Sequence, residues 1–372
     1  MQNTKRAWFT DTLDDVNGVA RTIGTMTQSA VNLGHDMTVL VSRHELKVKG
    51  FPIKNFPPVG EFELPEYELQ KLTFPPLLDM IDYIEREKFT ECIISTPGPV
   101  GLTAIAAARL LGLKTSGIYH TDFPQYVRIL TEDDLMETLM WKFMYWFYAQ
   151  MDLVYVNSEF YRQCWIERGI APEKLEILPR GLDTDLFHHK HRSADFWRKR
   201  GAKHPVLLYV GRISKEKELK FLAELVLALQ ERGQKLDLAV VGEGPFEPEM
   251  KEMLPGAIFT GVLRGAELGR AYASADLFMF PSTTDTFGNV VIEALSSALP
   301  VFVSDQGGPK ELIRSPEHGR VLPANQLEPW VEAVTGFLRE PYSLEQRVRV
   351  AEEVQAERNW DRAFEEFWQR SL

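Results

Sequence analysis

Residues 205–233 read PVLLYVGRISKEKELKFLAELVLALQERG, and their pattern indicates the fold class of the chain. Its apolar β-forming residues end at Gly211, which is typical of a strand that is buried on both faces. A charged turn follows, and apolar residues then recur with the spacing of an amphipathic helix until Gly233. A buried strand followed by a helix is the repeating unit of a parallel sheet covered by helices.

The same alternation runs through both halves of the chain. Apolar runs in the N-terminal half predict strands at RAWFTD, MTVLVS, ECIIST, KTSGIYHT and DLVYVN. The C-terminal half repeats the rhythm with PVLLYVG, LDLAVVG, GAIFTG, ADLFMFP and LPVFVSD. Between residues 178 and 205 the periodicity fades into turn residues and charges. We therefore expect two doubly wound α/β units in series, followed by helices without strands from Leu344 to Trp368.

Composition narrows the classes of function. With 372 residues the chain exceeds one usual domain, and its net charge of -11 argues against a broad nucleic-acid surface. The two cysteines, Cys92 and Cys164, lie far apart, which suits a reducing compartment. The first residues lack the apolar run of a signal peptide, and no stretch is apolar enough to span a membrane. We therefore expect a cytoplasmic protein.

The turn after Gly211 is the first candidate site, because open parallel sheets bind ligands beyond the carboxyl ends of their strands. Arg212 and Lys217 lie five residues apart in this turn. Their guanidinium and ammonium groups can converge on one diphosphate. Glutamates in the same turn make a solvated charged loop the alternative interpretation.

Residues 282–300, STTDTFGNVVIEALSSALP, place two carboxylates around a predicted helix start. Gly288 and Asn289 begin the helix, whose unpaired amides and dipole favour an anionic group. Asp285 can accept hydrogen bonds from the hydroxyls of a sugar, and Glu293 from those of a ribose. In the structural alternative, Asp285 caps a turn and Glu293 is a partly buried helix residue.

Two residues of the N-terminal half also follow predicted strands. Gly18 would let the backbone approach a phosphate or sugar closely. His120 ends a strand and is well placed to contact a ligand, although a lone histidine often has a structural role. No G-x-G-x-x-G follows a strand, which weakens a nicotinamide or flavin function. The histidines within 188–191 lack partners at metal-ligand spacing, so we predict no metal site.

Residues 135–151, LMETLMWKFMYWFYAQM, are apolar around most of a helix. Such a helix is usually buried in a core, and contact with a membrane surface is the alternative. The alternative would matter if the substrate were a lipid.

Taken together, these segments resemble the retaining family 4 glycosyltransferases of the GT-B type along nearly the whole chain. The matching segments, in the family's order, are FTDTLDDVNGVART, HTDFPQY, LPRGLDTDLF, VGRISKEK, VVGEGP, ADLFMFPSTTDTFGNVVIEAL and GGPKEL. The resemblance implies two facing Rossmann-like domains with a cleft between them. They would be an acceptor domain, 1–180, and a nucleotide-sugar domain, 181–356, with a C-terminal helix, about 357–372, that crosses back to the first.

The resemblance also implies roles for residues of the second domain. Arg212 and Lys217 match the basic pair that holds the donor diphosphate and stabilises the leaving group. Asp285 and Glu293 match the two carboxylates of the family's Glu-x7-Glu motif, which contact the donor sugar and the ribose.

Two residues of the first domain match the family as well. Gly18 matches a loop glycine near the phosphate, and His120 matches an active-site histidine that touches the sugar. The chain departs from the family at three positions. Asp285 is shorter than the usual glutamate, Arg180 replaces a common asparagine, and Ala298 replaces a common glycine. The last two are not expected to touch the chemistry directly.

The resemblance implies transfer of a hexose from a UDP- or GDP-sugar to a hydroxyl of a lipid or glycan, with retention of configuration and without a metal or other cofactor. Peripheral contact with the inner face of a membrane stays open, and nucleic acid is not an expected partner. A nucleotide-sugar epimerase of the same fold is the alternative, and it would incorporate deuterium from solvent where a transferase would not. A non-catalytic binder is disfavoured, because chemically suitable residues occupy the functional positions.

Overall fold

The computed structural model of the protein describes residues 4–13, 18–63 and 71–370. The chain divides into two compact units. The first comprises Met1–Gly181 together with Trp360–Leu372, and the second comprises Leu182–Asn359. Each unit encloses its own buried apolar residues around a parallel sheet.

A seven-stranded parallel sheet forms the centre of the first unit. The strands described in this unit are β1 (Lys5–Phe9), β2 (Asp36–Ser42), β3 (Ile53–Phe56), β4 (Gly60–Glu63), β5 (Lys71–Phe74), β6 (Glu91–Ile94), β7 (Lys114–Tyr119), β8 (Leu153–Val156) and β9 (Leu175–Ile177). The large sheet has the order β3-β2-β1-β6-β7-β8-β9, while β4 and β5 form a separate antiparallel pair. All neighbours in the large sheet run parallel.

Helices cover both faces of this sheet. They are α1 (Gly18–Leu33), α2 (Leu77–Arg86), α3 (Pro99–Leu111), α4 (Phe123–Thr131), α5 (Asp134–Ala149) and α6 (Glu159–Glu167). Successive side chains of a strand point to opposite faces. Ala7 and Phe9 accordingly belong to one buried cluster and Trp8 to the other. Burial on both faces explains why the last three residues of this strand, Ala7 to Phe9, are all apolar.

The second unit repeats the architecture with six parallel strands. They are β10 (Val206–Val210), β11 (Asp237–Val241), β12 (Ile258–Phe259), β13 (Leu277–Phe280), β14 (Val301–Ser304) and β15 (Gly319–Leu322), in the order β12-β11-β10-β13-β14-β15. The helices are α7 (Leu219–Glu231), α8 (Glu247–Met253), α9 (Gly265–Ser274), α10 (Asn289–Ser296), α11 (Leu327–Arg339) and α12 (Leu344–Glu357). Two doubly wound α/β units were expected from the sequence, and this expectation is confirmed.

Some strands were not predicted, and most of them lie at sheet edges. β3 and β9 are the two edges of the first sheet, and β15 is one edge of the second. An edge strand is only partly enclosed, so its sequence mixes polar and apolar residues, as IKNF and LEI show. The β4–β5 pair was also missed.

The C-terminal helix, α13 (Trp360–Gln369), belongs to the first unit although it follows the second in the chain. Its Asp361 accepts a 2.7 Å hydrogen bond from Ser29 of α1, and Phe367 stacks on Trp8 with ring centroids 5.7 Å apart. Trp360 packs so closely on Gly181 that a Cβ there would lie 2.4 Å from the Trp360 Cα. The expected return of this helix to the first domain is confirmed.

Helix α5 is amphipathic in its packing rather than wholly buried, which corrects the interpretation of residues 135–151 as a core helix. Met144, Phe147 and Tyr148 lie in the core. The other side of the helix exposes large apolar side chains, namely Leu135, Met136, Leu139, Tyr145 and Trp146. Within the described part of the chain, no helix is both long and apolar enough to cross a bilayer.

Candidate active site

Four loops meet at the carboxyl ends of the strands in the second unit, and two of them carry the predicted site residues Arg212, Lys217, Asp285 and Gly288. The loops after β10 and β11 are joined by backbone hydrogen bonds, among them Ile213 N to Glu243 O at 3.0 Å. The loops after β13 and β14 are joined by Gly308 N to Asp285 O at 2.9 Å. A Cβ on Gly242 would lie 1.9 Å from the Gly211 carbonyl oxygen, so this close approach requires glycine.

Lys217 and Asp285, both predicted site residues, contact each other directly. Lys217 Nζ lies 2.8 Å from Asp285 Oδ2, and the two side chains are 20% and 22% exposed. Lys217 ends a short 3-10 turn after β10, whereas Asp285 lies in the loop after β13. The sequence did not predict this pair, because the residues are 68 positions apart.

The loop that carries Lys217 is fixed by buried polar side chains. The Tyr209 hydroxyl donates to the Arg212 carbonyl at 2.9 Å, and the Ser214 hydroxyl donates to Glu216 Oε1 at 2.5 Å. Thr284 donates to the Glu216 carbonyl at 3.3 Å and so ties this loop to the segment before Asp285. Arg212 lies half-buried in the same loop. These bonds hold the backbone of the loop that carries Arg212 and Lys217 in place.

Gly288 and Asn289 form the start of α10, as predicted. Gly288 caps the helix with φ 89°, and a Cβ there would lie 3.0 Å from Pro309 Cγ. Asn289 is half-buried as the first helical residue. The first amides of α10 therefore lie immediately after the loop that holds Asp285, at the end of a helix dipole that favours negative charge.

Glu293 lies within α10 and is only 3% exposed. Its Oε2 accepts a 2.8 Å hydrogen bond from the hydroxyl of Tyr272 on α9. A carboxylate buried this deeply needs donors of this kind. The structure therefore fits the alternative that Glu293 is a buried helix residue, and its binding of ribose stays a prediction. Tyr272 was not identified from the sequence, where nothing distinguishes it from other core aromatic residues.

His120 lies in the first unit, directly after β7, and is 9% exposed. Its Nε2 lies 3.3 Å from Ser95 Oγ, which accepts a 2.5 Å hydrogen bond from Trp8 Nε1. Burial, reinforced by the positive charge of Arg180, holds the pKa of His120 well below its usual 6.5. The ring is therefore neutral at physiological pH and can exchange hydrogen bonds without carrying charge.

Gly18 is the first residue of α1 and is exposed. Its carbonyl accepts a 2.8 Å hydrogen bond from the Thr22 hydroxyl. Residues 14–17, which belong to the loop quoted with it in the sequence, lie outside the described residues. Gly18 and His120 thus belong to the first unit, while Arg212, Lys217, Asp285, Gly288, Asn289 and Glu293 belong to the second.

Over the described ranges, no cluster of three or more His, Cys, Asp or Glu is arranged to hold a metal ion.

Comparison with known families identifies the family to which this chain belongs. The model described as Glycosyltransferase Family 4 matches residues 16–186, and the model described as Glycosyl transferases group 1 matches residues 204–340. The chain belongs to glycosyltransferase family 4. Members of this family transfer a sugar from a nucleotide-sugar donor, and the chain is a glycosyltransferase in this sense.

Relatives within the family differ in their substrates. The chain is 30% identical over 83% of its length to a sulfoquinovosyl transferase of Arabidopsis thaliana, of which it spans 58%. It is 28% identical over 85% of its length to a GDP-mannose-dependent alpha-mannosyltransferase of Mycobacterium tuberculosis, of which it spans 82%. It is 25% identical over 79% of its length to an alpha-monoglucosyldiacylglycerol synthase of Streptococcus pneumoniae, of which it spans 69%.

The solved structures confirm the GT-B fold. The family 4 chain matches the sucrose-phosphate synthase of Thermosynechococcus elongatus with a TM-score of 0.75 over 98% of both chains, at 18% sequence identity. Identity at this level supports the shared fold alone.

Proposed function

We propose that the protein is a retaining hexosyltransferase that moves a hexose from a UDP- or GDP-sugar to a hydroxyl of a lipid or glycan. The observation that carries this proposal is the Lys217–Asp285 pair, which joins the loop after β10 to the loop that leads into α10. Cationic and amide donors collected at one edge of a sheet suit a diphosphate.

The Lys217–Asp285 pair can serve the diphosphate and the sugar together. An ammonium group has three N–H donors, so Lys217 can bond Asp285 and phosphate oxygens at the same time. Asp285 bonds Lys217 through Oδ2. Its second oxygen can accept a hydroxyl of the donor sugar. In this proposal Asp285 both orients the lysine and contacts the sugar, and its shorter side chain still reaches Lys217.

Leaving-group stabilisation would then supply most of the rate. Lys217, Arg212 and the start of α10 would stabilise negative charge as the nucleoside diphosphate departs. The acceptor hydroxyl would attack the anomeric carbon on the face from which the diphosphate leaves, and the departing phosphate would take its proton. His120, neutral because its pKa is lowered, would donate or accept a hydrogen bond at the sugar.

A lipid acceptor fits the exposed face of α5. Leu135 is 63% exposed, Leu139 49% and Trp146 48%. Their spacing of four and seven residues places them along one stripe of the helix. An exposed stripe of leucine and tryptophan suits the interface of a membrane, where apolar side chains enter the acyl boundary. We therefore favour a lipid acceptor and peripheral contact with the inner face of a membrane.

The activity is tested by transfer of labelled hexose from UDP-glucose and GDP-mannose to glycolipid, diacylglycerol and oligosaccharide acceptors. Lys217→Ala should reduce the initial rate by about two to three orders of magnitude with the fold intact. Lys220→Ala is the matched control, because Lys220 is an exposed lysine three residues further along the chain. Full transfer by Lys217→Ala would refute the proposed clamp.

The membrane contact is tested separately by flotation with phospholipid vesicles. Replacing Leu135, Leu139 and Trp146 together by serine should abolish flotation and leave nucleotide binding unchanged. Leu344→Ser is the control, since Leu344 is 61% exposed in the second unit. If the triple variant floats like the wild type, α5 is not the membrane contact.

A further inference from the structure

Arg180 is a buried arginine at the carboxyl edge of the first sheet, shortly after β9. It is 6% exposed. Its Nη1 donates to Thr22 Oγ1 at 2.5 Å, and its Nη2 donates to Asn157 Oδ1 at 2.6 Å. Desolvation of a buried guanidinium costs free energy, so the groups that Arg180 contacts must offset that cost.

The first of these bonds leads to the start of α1. Thr22 accepts from Arg180 and donates its own proton to the Gly18 carbonyl at 2.8 Å. A hydroxyl can do both, because it has one proton and two lone pairs. Arg180 is therefore connected through one side chain to the backbone of Gly18.

The second bond leads to the segment that carries His120. Asn157 accepts from Arg180 and donates through Nδ2 to the Tyr119 carbonyl at 2.9 Å. That carbonyl belongs to the peptide bond that precedes His120. On its other side, the His120 ring meets Ser95, as described above. The carboxyl ends of β7, β8 and β9 and the first turn of α1 are thus joined through one guanidinium.

The charge of Arg180 acts on the same ring. After burial, Arg180 is the group that lowers the pKa of His120. The next carboxylate along the chain, Asp122, is engaged elsewhere, since it accepts from the Tyr161 hydroxyl at 2.9 Å and from the Gln125 amide at 3.3 Å. Arg180 therefore stabilises the neutral form of the His120 ring and, through Asn157, also holds the backbone next to it.

We propose that Arg180 is a positioning residue for sugar transfer, which holds the start of α1 and the His120 segment in one arrangement through Thr22 and Asn157. This inference rests on the proposed function for the roles of Gly18 and His120. It assigns a reason to the arginine that replaces the family's common asparagine, a departure that the sequence alone placed outside the chemistry.

The test is a histidine-ring NMR titration of the full chain without donor or acceptor. The His120 signals are identified by their loss in His120→Gln. In the wild type we expect no protonation of this ring near pH 6.5. Arg180→Met should move its midpoint upward, because a nearby positive charge is removed. Arg180→Lys should keep the midpoint close to that of the wild type.

A half-buried arginine of the second unit provides the control for loss of packing. Arg347 in the second unit donates to the Ala298 carbonyl at 2.7 Å and to the Ala275 carbonyl at 3.3 Å. Arg347→Met should lower the melting temperature without moving the His120 midpoint. An unchanged midpoint in a folded Arg180→Met variant would overturn the proposal.

A variant of Asn157 keeps the test decisive if Arg180→Met does not fold. Asn157→Asp keeps the shape of the side chain, places a carboxylate beside the guanidinium and removes the Nδ2 donor to the Tyr119 carbonyl, so it should also raise the His120 midpoint. No change in that variant would overturn the proposal as well. In the transfer assay, Arg180→Met should lower kcat by about tenfold to a hundredfold, with partial rescue by lysine. The titration needs no substrate, so a chain without hexosyltransferase activity would refute the proposed function and leave the role of Arg180 separately measurable.

Discussion

Lys217 Nζ and Asp285 Oδ2 form a 2.8 Å ion pair between two loops of the second unit. The pair is partly exposed, and such pairs contribute little to stability, at most about 1 kcal/mol. Its geometric effect is larger, because it fixes a flexible lysine at the edge of the sheet where α10 begins. We infer that the pair is retained for positioning rather than for stability.

The activity should therefore depend more on the negative charge at position 285 than on the length of the side chain there. Asp285→Asn removes the charge that orients Lys217, and we expect kcat/KM for the nucleotide sugar to fall at least about tenfold, which corresponds to roughly 1.4 kcal/mol. Asp285→Glu, which supplies the family's usual residue, should retain most of the activity. Steady-state kinetics of the two variants would contradict this account if asparagine were tolerated better than glutamate.

Tyr272→Phe should lower the stability of the second unit and weaken the predicted contact between Glu293 and the ribose. The substitution leaves the buried Glu293 carboxylate without the hydroxyl that donates to it, at a cost of about 1.5–3 kcal/mol. We expect a lower melting temperature and a KM for the donor raised about tenfold.

Tyr148→Phe is the matched control, because it removes a hydroxyl that donates to the Ile118 carbonyl at 3.0 Å in the first unit. It should lower stability without changing the donor KM. An unchanged donor KM in Tyr272→Phe would argue against ribose binding at Glu293.

The lowered pKa of His120 predicts acid sensitivity of the first unit. Below about pH 6.5 the unfolded chain binds a proton at this histidine that the folded chain does not bind. Its contribution to stability is therefore fully present above pH 6.5 and is lost as pH falls toward the folded pKa, by up to about 1.4 kcal/mol per pH unit.

Melting temperatures recorded from pH 7.5 to pH 5.0 for the wild type and His120→Gln check this sign. The wild type should lose stability relative to the glutamine variant as pH falls. Parallel curves would show that the His120 pKa is not lowered.

Glu218 lies directly after Lys217 and has φ 55°, in the left-handed region that is unfavourable for a residue with a Cβ. Glu218→Gly should therefore stabilise the second unit by about 0.5–1 kcal/mol. Glu224→Gly should instead lower the stability, because Glu224 is exposed inside α7, where glycine costs about 1 kcal/mol. A loss of melting temperature in both variants would contradict the strain assigned to Glu218.

The sequence predicted the parts of the fold that burial controls. Strands such as β8 and β10 are enclosed on both faces and appear as apolar runs, whereas the partly enclosed edge strands β3 and β9 do not. The helix of residues 135–151 was predicted as a helix, but its exposed stripe was not. Apolar residues surround the helix, and only the packing of its neighbours determines which side is covered.

The candidate residues were found through their positions after strands, but their partners were not. Tyr272 meets Glu293 from another helix, and Arg180 meets Thr22 from the far end of the first unit. The chain separates these partners by 21 and 158 positions. Such pairs depend on the order of strands in each sheet, which local patterns do not encode.

A thermal-shift titration of the wild type and Lys217→Ala with uridine diphosphate, guanosine diphosphate and NAD would show whether these loops bind the diphosphate of the donor. A ligand that binds only the folded protein raises its melting temperature. We predict that one of the two nucleoside diphosphates raises the melting temperature of the wild type, that Lys217→Ala loses most of this shift, and that NAD has no effect. A shift with NAD alone, or an equal diphosphate shift in Lys217→Ala, would contradict the assignment of these loops as the site of the nucleotide-sugar diphosphate.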